Sequence, residues 1–251
     1  MIALTRVIGH RGEAAVAPEN TLAGLEAAAA AGARWVEIDV RLSADKVCVL
    51  SHDPTLIGIT PIGDERRMRI ARTSAAALGA LDIGTRFSAD FAGETMPTLA
   101  AALDRAGALG LGVNIEVKDC GLRNRALADA IAAVLADRRR GAPDLLVSSF
   151  RPSILARLRA RDPALALGLL SRGFHGGWRR RADALGCVSL HCAAARATAA
   201  QIADFKATGR MVAAYTVNDP ALARRLFGWG VDAIFCGDPG RMLAALEQKT
   251  T

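Results

Sequence analysis

Trp35-Val36-Glu37-Ile38-Asp39-Val40 reads as a β-strand, and its two carboxylates, spaced two residues apart, project to the same face. The run follows an Ala-rich helical stretch at 21–31, and strand–helix pairs of this kind recur almost from end to end. Short β-rich runs stand at 6–9, 35–40, 112–117, 145–149, 165–170, 187–190, 211–216 and 233–236, each followed by Gly, Asn, Asp or Pro. Helical patterns alternate with them at 21–31, 99–109, 123–139, 152–161, 178–185, 199–208, 220–229 and 239–248. Eight strand–helix pairs in 251 residues predict an α/β fold of the (β/α)8 TIM-barrel type.

One stretch breaks the rhythm. After the second strand comes a further β-like run at 46–50, then an irregular segment from Asp53 to Pro97. A structureless loop of that length inside a compact domain argues either against the strand count or for a functional insertion. Its Pro54 turn, a short helix near 74–81, Gly84 and Phe87 predict a small folded cap over one barrel mouth. The reading is one barrel domain over 1–251, carrying an insertion after the second strand at about 53–97.

Composition narrows the class. The chain is 51% hydrophobic and 23% charged, with a mean hydropathy of +0.22, which excludes intrinsic disorder and a disulfide-built mini-domain. Five scattered cysteines without CxxC spacing predict reduced thiols and a cytoplasmic protein. No apolar run is long enough and free enough of charge to span a bilayer, and the first twelve residues lack the pattern of a secretory leader, so the chain is expected to be complete and not integral to a membrane. The net charge is +7, almost all from arginine. The basic runs at 66–67, 138–140 and 179–181 are scattered, and aromatics are only 4%, so a nucleic-acid platform is not predicted. A positive surface would suit long-range steering of a phosphate-bearing small molecule. Oligomeric state is left open.

Chemistry in a barrel lies just past the carboxyl ends of the strands, and the ionisable residues follow that rule. His10 and Arg11 follow the first strand, Glu37 and Asp39 lie late in the second, His52 and Asp53 end the extra run, and Glu116 and Lys118 end the third. Two unpaired carboxylates in a narrow apolar interior repel one another and are costly to desolvate, so a cation must sit between Glu37 and Asp39. Glu116 and Lys118 bring a third carboxylate and an ammonium to the same mouth. Two arrangements satisfy these groups: an ion-pair network in which Lys118 and Arg11 neutralise the acids, or a hard-oxygen site for one divalent cation, Mg²⁺ or Ca²⁺. The position at the barrel mouth favours the cation. His10 and His52, two of only four histidines, suit general acid–base cleavage of a phosphodiester, with Arg11 or Lys118 on the non-bridging oxygens. His175, in a Gly-rich loop, reads as a surface residue; Asn20 reads as a helix N-cap with a secondary route into the site; the cysteines read as small buried residues, Cys236 at a strand end being the one with a route to solvent.

Several motifs then take on a common meaning. Ile8-Gly9-His10-Arg11-Gly12, Pro18-Glu19-Asn20-Thr21, Val36-Glu37-Ile38-Asp39-Val40, Ser51-His52-Asp53-Pro54-Thr55-Leu56 and Asn114-Ile115-Glu116-Val117-Lys118 resemble, in order, the motifs of the glycerophosphodiester phosphodiesterases. Leu81-Asp82-Ile83-Gly84, Phe87 and Met96-Pro97-Thr98-Leu99 resemble that family's insertion. The resemblance implies that Glu37, Asp39 and Glu116 bind a divalent cation, that His10 and His52 are the acid–base pair, and that Arg11 and Lys118 hold the phosphate. It also implies hydrolysis of deacylated phospholipids to glycerol 3-phosphate and an alcohol. In the second half the likeness is looser: Phe150, His191 and Tyr215 fall at strand ends, where they would wall the substrate pocket. Tyr215 stands where many relatives have Trp, and Phe235-Cys236-Gly237-Asp238-Pro239 departs from the more usual Thr-Asp-x-Pro. Competing readings are a related barrel lyase giving a cyclic phosphate and a non-catalytic protein that binds an anionic partner.

Overall fold

The computed structural model describes residues 4–60, 67–137, 144–173 and 176–248. Its strands are β1 (Val7–His10), β2 (Trp35–Leu42), β3 (Cys48–Leu50), β4 (Gly112–Val117), β5 (Leu145–Ser149), β6 (Leu167–Ser171), β7 (Ser189–Ala193), β8 (Met211–Tyr215) and β9 (Ala233–Cys236). All but β3 are parallel, each pairs with the next, and β9 pairs back onto β1, which closes an eight-stranded barrel. Between the strands run α1 (Leu22–Ala30), α2 (Ala75–Gly79), α3 (Leu99–Ala108), α4 (Asn124–Asp137), α5 (Pro152–Arg161), α6 (Trp178–Ala184), α7 (Ala199–Lys206), α8 (Pro220–Gly228) and α9 (Pro239–Glu247). The fold is the TIM barrel that the alternation predicts. No helix among the described residues is long and apolar enough to cross a membrane.

The period of two along each strand sorts side chains between the barrel axis and the helical shell. In β2, Val36, Ile38 and Val40 join the core between barrel and helices, together with Val113, Ile115 and Val117 of β4 and Leu25, Leu103 and Leu127 of α1, α3 and α4. The alternate positions face inward, where Ile8, Trp35, Leu146, Ala213, Ala233 and Phe235 fill the axis. Gly112 leaves room for the Trp35 indole, since a Cβ there would lie 2.4 Å from the ring. The same parity that buries Trp35 aims Glu37 and Asp39 along the axis, at the end where the strands finish.

Two strand positions differ from the sequence reading. The run at 165–170 becomes β6 at Leu167–Ser171, and that at 187–190 becomes β7 at Ser189–Ala193. Cys187 cannot start a ladder because its N–H is spent on the Ala182 carbonyl, closing the turn after α6. His191 therefore sits in mid-strand and not at the strand end. The helix read at 123–139 is described only to Asp137, and the segment 61–66 of the insertion lies outside the described residues, as does His175.

The insertion begins with a hairpin. Val40, Arg41 and Leu42 at the end of β2 pair antiparallel with Leu50, Val49 and Cys48 of β3. Beyond it, Leu56, Ile70, Leu78, Ile83 and Met96 pack with Val49 into a small core of their own, so this segment is folded along its described length. It is tied to the barrel by Glu94, whose carboxylate accepts from the Leu22 and Ala23 amides in the first turn of α1.

Candidate active site

Backbone geometry gathers the ionisable residues at the barrel's carboxyl end. His10 lies beside Glu37 in the β1–β2 register, and Asp39 lies beside Glu116 in the β2–β4 register. The β2–β3 hairpin doubles back so that the Ser51 amide donates to the Asp39 carbonyl at 3.0 Å, which returns His52 to the mouth that β2 has just left. The Lys118 amide donates to the Val40 carbonyl at 3.1 Å and brings its side chain to the same point.

The loop after β1 is equally constrained. Arg11 has φ 59° and Gly12 φ 90°. A Cβ on Gly12 would lie 2.6 Å from the Gly24 carbonyl, so glycine is required where α1 crosses this turn. In the resulting geometry the Arg11 amide donates to Glu37 Oε2 at 3.1 Å, and its guanidinium lies 2.8 Å from Glu19 and 3.2 Å from Asp39 Oδ2.

Glu37, Asp39 and Glu116, all buried, each offer a carboxylate oxygen, and these atoms lie within 4.8 Å of one another. Asp39 is the neutralised member: Lys118 Nζ stands 2.8 Å from Oδ1, and Asn20 Nδ2 donates to Oδ2 at 3.0 Å. Burial would raise its pKa, but Lys118 and Arg11 outweigh that and hold it at about 2. Glu37 is the opposite case. Burial first, then the charges of Asp39 and Glu116, push it well above the ordinary carboxylate range. Its Oε1 is buried without a hydrogen-bond partner among the described residues. Burial and Asp39 also raise Glu116, against the pull of Lys118 Nζ at 2.5 Å, while the two acids together raise Lys118 despite its own burial.

A buried carboxyl with an unpartnered oxygen, facing two more carboxylates, is a donor set with a place for one cation. All three donors are carboxylate oxygens, the hard donor type that alkaline-earth ions take. The ion-pair network expected as the competing arrangement is also present, on Asp39 and on one oxygen of Glu116. It leaves Glu37 Oε1 without a partner among the described residues, so the network does not account for all three acids.

The histidines differ in environment. His10 Nε2 lies 3.9 Å from Glu37 Oε2, and burial, reinforced by Arg11, lowers its pKa to about 4. His52 is half-exposed, with Nδ1 2.9 Å from Asp53 Oδ1, and its backbone carbonyl accepts two bonds from the Arg41 guanidinium. Two clefts of about 800 and 370 Å³ flank this centre, and Asp53 lines both.

A profile of the glycerophosphoryl diester phosphodiesterase family matches residues 10–241. The chain belongs to that family. It is 30% identical over 245 residues to the glycerophosphodiester phosphodiesterase of Caldanaerobacter subterraneus subsp. tengcongensis, covering 95% of this chain and 96% of that one. Its fold matches a phosphodiesterase of Oleispira antarctica, solved in complex with the product sn-glycerol-3-phosphate, with a TM-score of 0.93, 36% identity and 98% of each chain covered. A glycerophosphodiester phosphodiesterase of Parabacteroides distasonis superposes over the full length of both chains with a TM-score of 0.81, and at 24% identity that match speaks for the fold.

Within this phosphodiesterase scaffold, His10, Arg11, Glu37, Asp39, His52, Glu116 and Lys118 lie together at the carboxyl end of the barrel. Phe150 and Tyr215 meet edge to face, 5.8 Å between centroids, and Tyr215 donates to the Ser171 carbonyl at 3.0 Å. Phe150 lines the larger cleft. His191 lies deeper, in a cavity of about 30 Å³ with His10, Glu37, Asn114, Glu116 and Tyr215, and pairs with Ser189 Oγ at 3.0 Å. Asn20 takes its secondary route into the site and not the cap. Thr21, not Asn20, caps α1, accepting from the Gly24 amide, which frees Asn20 to brace Asp39. Cys236 is buried because its side chain turns toward the helical shell.

The sequence reading assigned no role to Glu19, Asn114, Arg151, Arg172 or Arg181. Glu19 and Asn114 stand inside Pro18-Glu19-Asn20-Thr21 and Asn114-Ile115-Glu116-Val117-Lys118, and that placement is the signal available for them. The arginines carried none, because a basic residue after a strand or on a helix reads as a solvated face.

Proposed function

We propose that this family member hydrolyses glycerophosphodiesters to glycerol 3-phosphate and an alcohol, using one divalent cation, Mg²⁺ or Ca²⁺, held by Glu37, Asp39 and Glu116. The carrying observation is the buried Glu37 carboxyl among these acids, with its Oε1 lacking a hydrogen-bond partner among the described residues and its Oε2 3.9 Å from His10 Nε2. When bound, the cation supplies positive charge that draws electron density from the phosphoryl oxygens.

The chain's own groups divide the remaining work. Lys118 has three N–H donors and spends two on Asp39 and Glu116, leaving one for a non-bridging oxygen. Arg11, anchored on Glu19 and Asp39, presents its guanidinium to the same phosphate. His10, neutral through burial, offers a lone pair to the proton of the nucleophile, either water directly or the glycerol 2-hydroxyl, whose cyclic phosphate water then opens to glycerol 3-phosphate. Asp53 orients the His52 ring, whose other nitrogen delivers a proton to the departing alkoxide. Five cysteines without disulfide bonds support a cytoplasmic setting.

The test is release of glycerol 3-phosphate from glycerophosphocholine and glycerophosphoethanolamine by the purified protein. Release that EDTA abolishes and Mg²⁺ or Ca²⁺ restores supports the proposal. Release that is indifferent to EDTA removes the cation from it, and a persistent cyclic phosphate in the phosphorus NMR spectrum would make the protein a lyase.

A further inference from the structure

The two clefts that meet at Asp53 differ in size and charge. A phosphodiester at the centre sends one arm into each. The smaller, lined by Arg11, Glu19, Ile57, Ile83 and Phe87, has ample room for the three-carbon glycerol arm that all glycerophosphodiesters share. The larger one is left for the arm that varies, the alcohol head group.

That larger cleft carries Arg41, Lys118, Arg151, Arg172 and Arg181 against the acids Asp53, Glu116 and Asp119. The acids are all engaged: Asp53 with His52, Glu116 with Lys118, and Asp119 with Arg151. Arg41 is spent on the His52 and Asp119 carbonyls. Arg172 and Arg181 form no ion pair among the described residues, yet both line the cleft. The Arg172 guanidinium sits 5.3 Å from the centroid of Phe150, so the aromatic face that would otherwise receive a quaternary ammonium already holds a cation. Trp178, the other ring of the cleft, likewise has the Arg179 guanidinium 5.5 Å from its centroid, so a cationic head group would find no free carboxylate and would meet two guanidinium groups without an ion pair among the described residues.

We infer that this cleft selects a glycerophosphodiester whose head group is itself negatively charged, a phosphorylated polyol being the fitting chemistry, with Arg172 and Arg181 as the specificity-determining residues. This rests on the reaction proposed above. Arginine forks bind phosphate by charge-assisted, bidentate hydrogen bonds, which supply a discrimination of about tenfold or more over the uncharged alcohol.

The experiment measures kcat/KM with the cation present on three substrates: glycerophosphoinositol 4-phosphate, glycerophosphoinositol and glycerophosphocholine. The first two differ only in the added phosphate. The unaltered protein is expected to favour the phosphorylated substrate about tenfold over its parent and to rank glycerophosphocholine last. In the double variant Arg172→Met, Arg181→Met, which keeps most of the apolar stems, the ratio between the first two substrates falls to near one. A general defect cancels from that ratio. Equal turnover of all three substrates by the unaltered protein, or a ratio that survives the double substitution, overturns the selectivity and leaves the phosphodiesterase reading standing. Turnover of none of them overturns both.

Discussion

Asn20 and Asp39, nineteen residues apart, bind each other reciprocally: Asn20 Nδ2 donates to Asp39 Oδ2 at 3.0 Å, and the Asp39 amide donates to Asn20 Oδ1 at 2.9 Å. Asn20 does this from φ 57°, a left-handed conformation that asparagine tolerates better than most residues. Asn20→Ala loses both buried bonds and strains the turn, with an expected cost of about 3 kcal/mol. Urea unfolding measures it, and a midpoint equal to that of the unaltered protein would show that the pair is dispensable.

Glu37→Gln tests the cation site without altering its size. The amide removes a carboxyl whose ionisation the fold already opposes, so the metal-free protein should unfold at a temperature no lower than the parent's. The rise in melting temperature on adding Ca²⁺ or Mg²⁺ after EDTA should disappear, together with activity. A variant that still gains the full increment would place the ion elsewhere.

His10→Ala and His52→Ala should each lower kcat by about 10²–10⁴-fold, the usual contribution of a general acid or base. Glycerol 3-phosphate release under saturating substrate reads this directly. Unchanged turnover in either single variant contradicts its assigned role.

His191 predicts a pH dependence of stability. Burial lowers its pKa to about 3, whereas an unfolded chain protonates histidine near 6.5. Between those values the unfolded state binds the extra proton, so this contribution is complete above pH 6.5 and shrinks as pH falls toward 3. From pH 6.5 to 5 the loss is about 2 kcal/mol. His191→Gln should flatten the acid limb of the stability curve by that amount. Parallel curves for variant and parent in urea titrations at the two pH values would refute the assignment.

The barrel was legible because its parallel strands are short apolar runs alternating with helical patterns, and the acids were legible because a carboxylate inside a strand is costly unless a site explains it. Strand limits were less so. The apolar residues Leu165 and Ala166 extend a run that the β6 ladder does not use, and Cys187 looks like strand but its amide is committed to a helix end. Asn20 and Thr21 are both plausible caps, and only the packing of Asp39 against Asn20 assigns them. Arg172 and Arg181 belong to a cleft made by neighbouring strands and loops, a relation that spacing along the chain does not encode.

The closure of β9 onto β1 separates the making of the chemical groups from their assembly. All the residues assigned to acid–base chemistry, cation and phosphate lie between His10 and Lys118, so a ribosome has issued them before it reaches half of the sequence. Yet β1, which carries His10, has β2 on one side and an open edge on the other until β9 is threaded beside it. The nascent chain thus holds all of these side chains while its first strand still has an open edge. The later half brings Phe150, Arg151, Arg172 and Arg181 to the larger cleft, on loops and helices separate from those that hold the acids and the histidines.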